Sequence, residues 1–450
     1  MMRKVMVLTL VLLMALAGSA MAEVVWSGEF EATGSSNSFK VFQDDYELKA
    51  TVTLSAKGTA KSETEIEGEE DEEPTTNLNW EFTGGINLGV DDEHKLATSL
   101  GKYKLSLYDQ YFKAWVWGNG QELSDKATYF GMISAGKAAA KVRARMEVPV
   151  MDLATLTVDF DQKNSVKAFA DGNIGDISLG LAFARDWDDD PANNIVVGQA
   201  GYALPTGDMT VNLKGAVGVD IQKDLGLALG FGADAQVTET VKVEASVTNA
   251  NDHWGGQGPV AKNTVVNGKV TYADAALQAI ASAKLTVVKD GDNANEFSLS
   301  ANYRMSDALA YDKLFDDKAW FTNTAPAFGA TLKFANMKFG SVNVKASAPV
   351  VQDMVWLRAN ATFETKDKFG AGVDGYVKVT DKLVLKPAAS YAHEGKVIDL
   401  KLVSEYKIGL SDTLLTLTVQ KVMADEEYYQ GSEGDNPAKE LISATVKVPF

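Results

Sequence analysis

The chain has no cysteine in 450 residues, only ten prolines and three histidines, and no excess of basic charge. Each shortage excludes something. Without cysteine there is no disulfide framework of the kind small exported domains lean on, and no acceptor for a lipoprotein anchor. The histidines are scattered: His94 in a turn, His253 in a glycine-rich loop and His393 beside Glu394. Neither G-x-S-x-G nor H-E-x-x-H occurs, so no hydrolase or zinc-protease signature is present and enzymatic activity is not expected. The 43 basic residues are outnumbered by 61 acidic ones, for a net charge of −18. Nucleic-acid binding, which needs a basic footprint, is unexpected on that balance. Beyond residue 22 no stretch approaches the ~18 apolar residues of a membrane helix.

What is present begins with an export leader. Arg3 and Lys4 precede an uncharged run from Val5 to Ala17, and Ala20-Met21-Ala22 supplies small residues for cleavage, the pattern of a secretory signal peptide. Residues 1–22 are read as that signal and 23–450 as one folded unit. Loss of two basic residues takes the net charge from −18 to −20.

From there on the chain alternates. Residues 46–56, 209–219, 277–287, 296–305 and 354–364 each set apolar against polar or small residues. A period of two marks a β-strand with unlike faces. Runs of ten or eleven match the ~9–11 residues of a tilted strand crossing a bilayer, whereas globular strands average about 5–6. Tight polar turns such as 238–240, 273–275 and 380–382 alternate with longer charged connections near 57–77, 250–263 and 306–326. Twenty-five strand candidates can be counted, the weakest at 127–134 and 165–171. A closed barrel with both termini on one side requires an even number, so the expectation is about 24, within 22–26. Trp26, Trp80, Trp115, Trp117, Trp254 and Trp320 fall near strand ends, where interfacial aromatic belts form.

The last strand carries a resemblance. Ile442, Ala444, Val446, Val448 and the terminal Phe450 share one face, and a strand ending on an aromatic C-terminus resembles the assembly signal of bacterial outer-membrane β-barrel proteins. Together with the end-to-end alternation, the chain resembles the porin type. That resemblance implies an all-β fold, a single closed antiparallel transmembrane β-barrel without a plug domain, located in the outer membrane. It implies passive diffusion of small hydrophilic solutes and ions, with no cofactor or metal. The implied partners are outer-membrane lipid, periplasmic chaperones, the barrel-assembly machinery, and two further copies in a homotrimer. The alternative is a structural or surface-interaction barrel whose acidic loops bind envelope components.

A wide barrel needs a polar lumen, and the alternation nominates its wall. Lys141, Arg143 and Arg145 share one strand face, and Asp159 and Asp161 point the same way from the next strand. With Arg304, Arg358 and Glu364 they are the pore-lining candidates; cross-strand ion pairing that stabilises the wall is an equal reading of the first group. Phe169 and Trp356 are the inward aromatics. The glycines of 225–232 read as a small-residue lumen face, and 57–77 or 306–326 are long enough to fold inward. Eight carboxylates between Glu63 and Glu73, and further clusters at 186–190 and 425–435, do not fit a Ca²⁺-loop spacing. They are expected to be solvated loops giving a weak cation preference.

Overall fold

The computed structural model describes residues 24–36, 46–61, 77–90, 96–136, 142–151, 153–161, 165–186, 193–207, 209–222, 224–256, 258–259, 262–364, 368–409, 412–424 and 440–449. The leader, Lys141, Phe450, the Trp26 side chain and most of the three acidic clusters lie outside the described residues.

Twenty-four strands form one sheet in which each pairs antiparallel with its neighbours in the chain. The sheet closes on itself, because the first strand, Val24–Ser36, pairs with both the second, Tyr46–Lys61, and the last, Glu440–Pro449. At a strand spacing of ~4.8 Å and a tilt of ~40°, a circular barrel of this many strands is roughly 48 Å across its backbone. No described helix is long and apolar enough to cross a membrane, and the closed sheet satisfies its backbone hydrogen bonds internally.

The two faces obey the alternation throughout. Val217, Leu229, Phe231, Val247, Leu299 and Phe363 point outward and are substantially exposed. Facing water, each such side chain would forfeit ~1.5–3 kcal/mol; facing lipid it does not, and the outward band makes this a transmembrane barrel. Val446 and Val448 belong to that band at the closing seam, opposite Ala32 and Phe30 of the first strand. The inward face at the same seam is polar: Thr33 and Thr445 share a hydroxyl hydrogen bond of 2.8 Å, and Lys447 pairs with Glu29 at 2.8 Å. Most turns on the side of the termini are short. The turn after Ala273 is made by Asp274, which accepts backbone N–H bonds from Ala276 and Leu277 at 2.8 Å and the Tyr272 hydroxyl at 2.5 Å. The Tyr272 bond, then the two backbone bonds, hold its carboxyl below the usual range.

The structure settles the odd strand count. Residues 165–174 are a barrel strand, but 127–134 is not. That stretch lies in a segment between strands Lys113–Gly118 and Val142–Val150, where a two-residue ladder joins Lys126–Ala127 to Ser134–Ala135. The segment turns into the barrel. Its apolar residues are buried on the lumen side of a wall that closes without them, so its strand-like composition reflects burial and not membership of the wall.

Candidate functional site: a lumen narrowed by two clamped segments

The buried apolar cluster of this protein is inside the barrel. Met132, Ile133 and Ala135 of the infolded 119–136 segment pack on Phe169, Ala182, Val197, Ala216 and Ala228 of the wall. The tip is a tight turn: Ile133 N–H donates to the Thr128 hydroxyl at 3.0 Å, and Thr128 N–H to the Ile133 carbonyl at 2.9 Å. Phe130 sits at φ 60°, a left-handed conformation rare for a bulky residue, and its ring lies over Gly230. A Cβ at Gly230 would come within 2.4 Å of that ring. The glycine-rich 225–232 face is therefore a bed for the segment. Trp254, from the connection after strand Val241–Ala250, packs in beside Met132 over Gly218.

Polar contacts pin the segment's flanks. Arg145 donates from Nη1 to the Ser124 carbonyl (2.6 Å) and from Nη2 to the Ala135 carbonyl (3.3 Å). Arg143 Nη1 reaches the Gly136 carbonyl at 2.5 Å, and Lys167 Nζ the Ser134 carbonyl at 2.5 Å. Asp159 joins the two arginines, accepting from Arg143 Nη2 at 2.5 Å and Arg145 Nε at 2.9 Å. Both guanidiniums lie over the buried Trp117 ring, 5.5 and 5.6 Å from its centroid. Lys126 closes the far corner with an ion pair to Asp171 at 2.9 Å.

This corrects the pore-lining expectation for Arg143, Arg145 and Asp159. They face inward as the alternation requires, but the segment covers them, leaving them 5%, 2% and 1% exposed. A ladder so covered cannot touch a permeating ion directly. Asp161 is half-buried opposite Arg143.

A second segment, 305–326, enters from the side of the termini and is held the same way. Arg304 donates to the Ala275 carbonyl at 2.9 Å and to the Leu309 carbonyl, with its guanidinium 4.2 Å from the Tyr311 ring centre. Arg358 binds the Phe315 carbonyl (2.9 Å), Asp317 (2.6 Å) and Asp374 (2.8 Å), under the Trp320 ring. Trp356 donates its indole N–H to the Asn323 carbonyl at 3.0 Å, and Phe321 stacks on Tyr376. Two short 3-10 turns, Tyr311–Lys313 and Trp320–Thr322, shape the segment. Arg304 and Arg358 are thus anchors as well as wall residues, whereas Glu364 is exposed at the end of its strand. The inward tryptophans also correct the belt expectation. Trp115 and Trp117 sit on the inward face, and Trp254 and Trp320 are buried in lumen-side packing.

Elsewhere the inward wall keeps its charges in the open as cross-strand pairs. Lys284–Glu296 (3.3 Å), Lys269–Glu244 (2.9 Å), Lys386–Glu405 (2.7 Å) and Lys447–Glu29 (2.8 Å) retain much of their side-chain surface. No cluster of metal-binding side chains occurs among the described residues.

No protein-family model and no curated protein matches the sequence. Among solved structures, the P pilus usher translocation pore aligns over 95% of this chain and 99% of its own, at 8% identity and a TM-score of 0.43. The siderophore receptor PirA from Pseudomonas aeruginosa aligns over 94% and 80%, at 8% identity and 0.45. A Rhodopseudomonas blastica porin covers 95% and 100%, at 10% identity and 0.28. Scores this low add nothing to what the strand pairing shows directly: the chain is a closed 24-stranded antiparallel transmembrane β-barrel.

Proposed function

We propose that this protein is an outer-membrane channel of the porin type, passing small hydrophilic solutes and ions by passive diffusion with no chemical step. The observation that carries the reading is the exposed, charge-bearing inward wall, typified by Lys447 and Glu29 at 43% and 34% side-chain exposure. Such side chains need water, and an apolar outer face places that water in the lumen. The two infolded segments narrow the passage. Weak cation preference follows from the net charge, −18 for the chain and −20 once Arg3 and Lys4 leave with the leader, which concentrates cations at the mouths and fades as salt screens it. Export would remove residues 1–22, and assembly would use periplasmic chaperones, the barrel-assembly machinery and the Val446/Val448/Phe450 strand, with a homotrimer as the proposed assembly.

The test is single-channel conductance of the refolded mature protein in a planar bilayer under a KCl gradient. Large, stable openings with a reversal potential favouring potassium are expected. A reversal potential favouring chloride refutes the cation preference. Silence from protein shown to be folded refutes the channel. It would favour the second reading, a surface-interaction barrel, for which the two segments occupying the lumen are the supporting observation.

A further inference from the structure

The 305–326 segment does not lie flat on the wall. Between it and strands Leu277–Val288, Ala294–Arg304, Ala327–Ala335 and Lys338–Val351 remains a cavity of about 350 Å³, open to the lumen. Its surface is more polar than apolar, and its charges are arranged by side. Asp312 and Asp316 come from the segment, and Lys345 comes from the wall.

The charges do not neutralise one another. Lys345 makes no ion pair or hydrogen bond with any described residue. The two carboxylates share Lys313, at 3.9 and 3.8 Å, the loose end of ion-pair distance, and Asp316 also accepts the Lys318 backbone N–H at 2.8 Å. Elsewhere on this wall opposite charges meet across strands at 2.7 to 3.3 Å. Here a lumen lysine and two carboxylates face one cavity without meeting each other. Between them the wall offers Asn302 and Asn343; each donates one amide N–H to a wall neighbour, Gln278 at 3.2 Å and Thr362 at 2.6 Å, which leaves a second N–H and the amide oxygen on each. Phe315 supplies an apolar side, and the absence of a side chain at Gly329 admits its ring: a Cβ there would lie 2.9 Å from the Phe315 ring.

We infer that this cavity is a weak binding site for a small zwitterion of the amino-acid or short-peptide class, its ammonium toward Asp312 and Asp316 and its carboxylate toward Lys345. A neutral polyol could use the amides but would leave Lys345 without a counter-charge and the two carboxylates with only their long pairings to Lys313, and a simple anion or cation would satisfy one side only. The inference rests on the channel reading for its role, since the cavity lies on the lumen side, but not for its existence. A site in the path must bind weakly enough to release its solute, so the expected dissociation constant is on the order of millimolar.

The experiment measures binding and conduction separately. Saturation-transfer NMR on the detergent-refolded full barrel, with triglycine as probe and mannitol as the neutral comparison, should give signal for triglycine and none for mannitol. Lys345→Gln and Asp316→Asn should each weaken triglycine binding ~3–5-fold, the scale of one exposed charge pair. Because Lys345 is exposed on the wall, the Gln variant should fold, and unchanged heat-modifiable gel migration would confirm it. Equal binding of mannitol, no triglycine binding, or triglycine binding indifferent to both substitutions overturns the site. Triglycine binding with a silent bilayer upholds the site and refutes the channel reading alone.

Discussion

Arginine is used sparingly here, at six positions in 450 residues, one of them in the leader. Of the remaining five, Arg143, Arg145, Arg304 and Arg358 all donate to backbone carbonyls of the infolded segments. The cations left open on the lumen wall, at 269, 284, 345, 386 and 447, are lysines. The division has a chemical basis. The guanidinium is a rigid planar fork with five donors and is weakly hydrated, so it can be buried while ligating several acceptors; ammonium is strongly hydrated and mostly keeps to water, with Lys167 on the Ser134 carbonyl as an exception. Asp159 is the residue on which the first clamp turns, because it is ion-paired to two buried guanidiniums at once. Asp159→Asn should cost about 3–5 kcal/mol, the scale for removing one partner of a buried ion pair. Urea unfolding in detergent would show it as a lower midpoint, and bilayer recordings as noisier openings. An unchanged midpoint would mean the carbonyls alone hold the arginines.

Among the strands and connections, the two infolded segments show where local pattern stops being informative. Strand 165–174 has a weak sequence pattern yet completes the wall, while 127–134 reads as strand yet leaves it. Its Tyr129, Phe130, Met132 and Ile133 suit a strand equally well. What decides is the bed of small residues at 216, 218, 228, 230 and 232, which is far away in the chain and is covered by this segment together with Trp254. Placing a branched side chain in the bed should therefore eject the segment and leave the barrel standing. In Gly230→Val the new Cβ would clash with the Phe130 ring at 2.4 Å. Overpacking of this kind costs ~1–3 kcal/mol. Limited proteolysis should reveal new cleavage within 119–136 in this variant but not in Gly198→Val, where nothing lies within 4 Å of the added carbon. Identical digestion of the two would show that Phe130 is not what seats the segment.

For the barrel as one body the governing fact is that the apolar face is outside. Leu229, on the outward face of strand Leu225–Gln236, is exposed although it is a large hydrophobic residue. Leu229→Arg should lower stability in lipid by ~2–4 kcal/mol, as a cation near the bilayer midplane does. Thr416→Arg, facing the lumen opposite Glu405, should be nearly neutral. Folding titrations into lipid vesicles distinguish the two, and equal costs would mean that the outward band does not meet hydrocarbon.

Alternation was enough to specify the strands and their two faces, because a period of two leaves each strand one apolar and one polar side, and strand length with the resemblance of the last strand pointed on to a barrel. It was also enough to turn Arg143, Arg145, Asp159, Arg304 and Arg358 inward, since the period assigns a side from position alone. Three-dimensional packing was needed for the rest: that those arginines are covered, that 119–136 and 305–326 lie within the lumen, and that Lys345 faces Asp312 and Asp316 across one cavity. Those outcomes depend on contacts between residues dozens to about a hundred positions apart, such as Phe130 on Gly230. A local period carries no record of them.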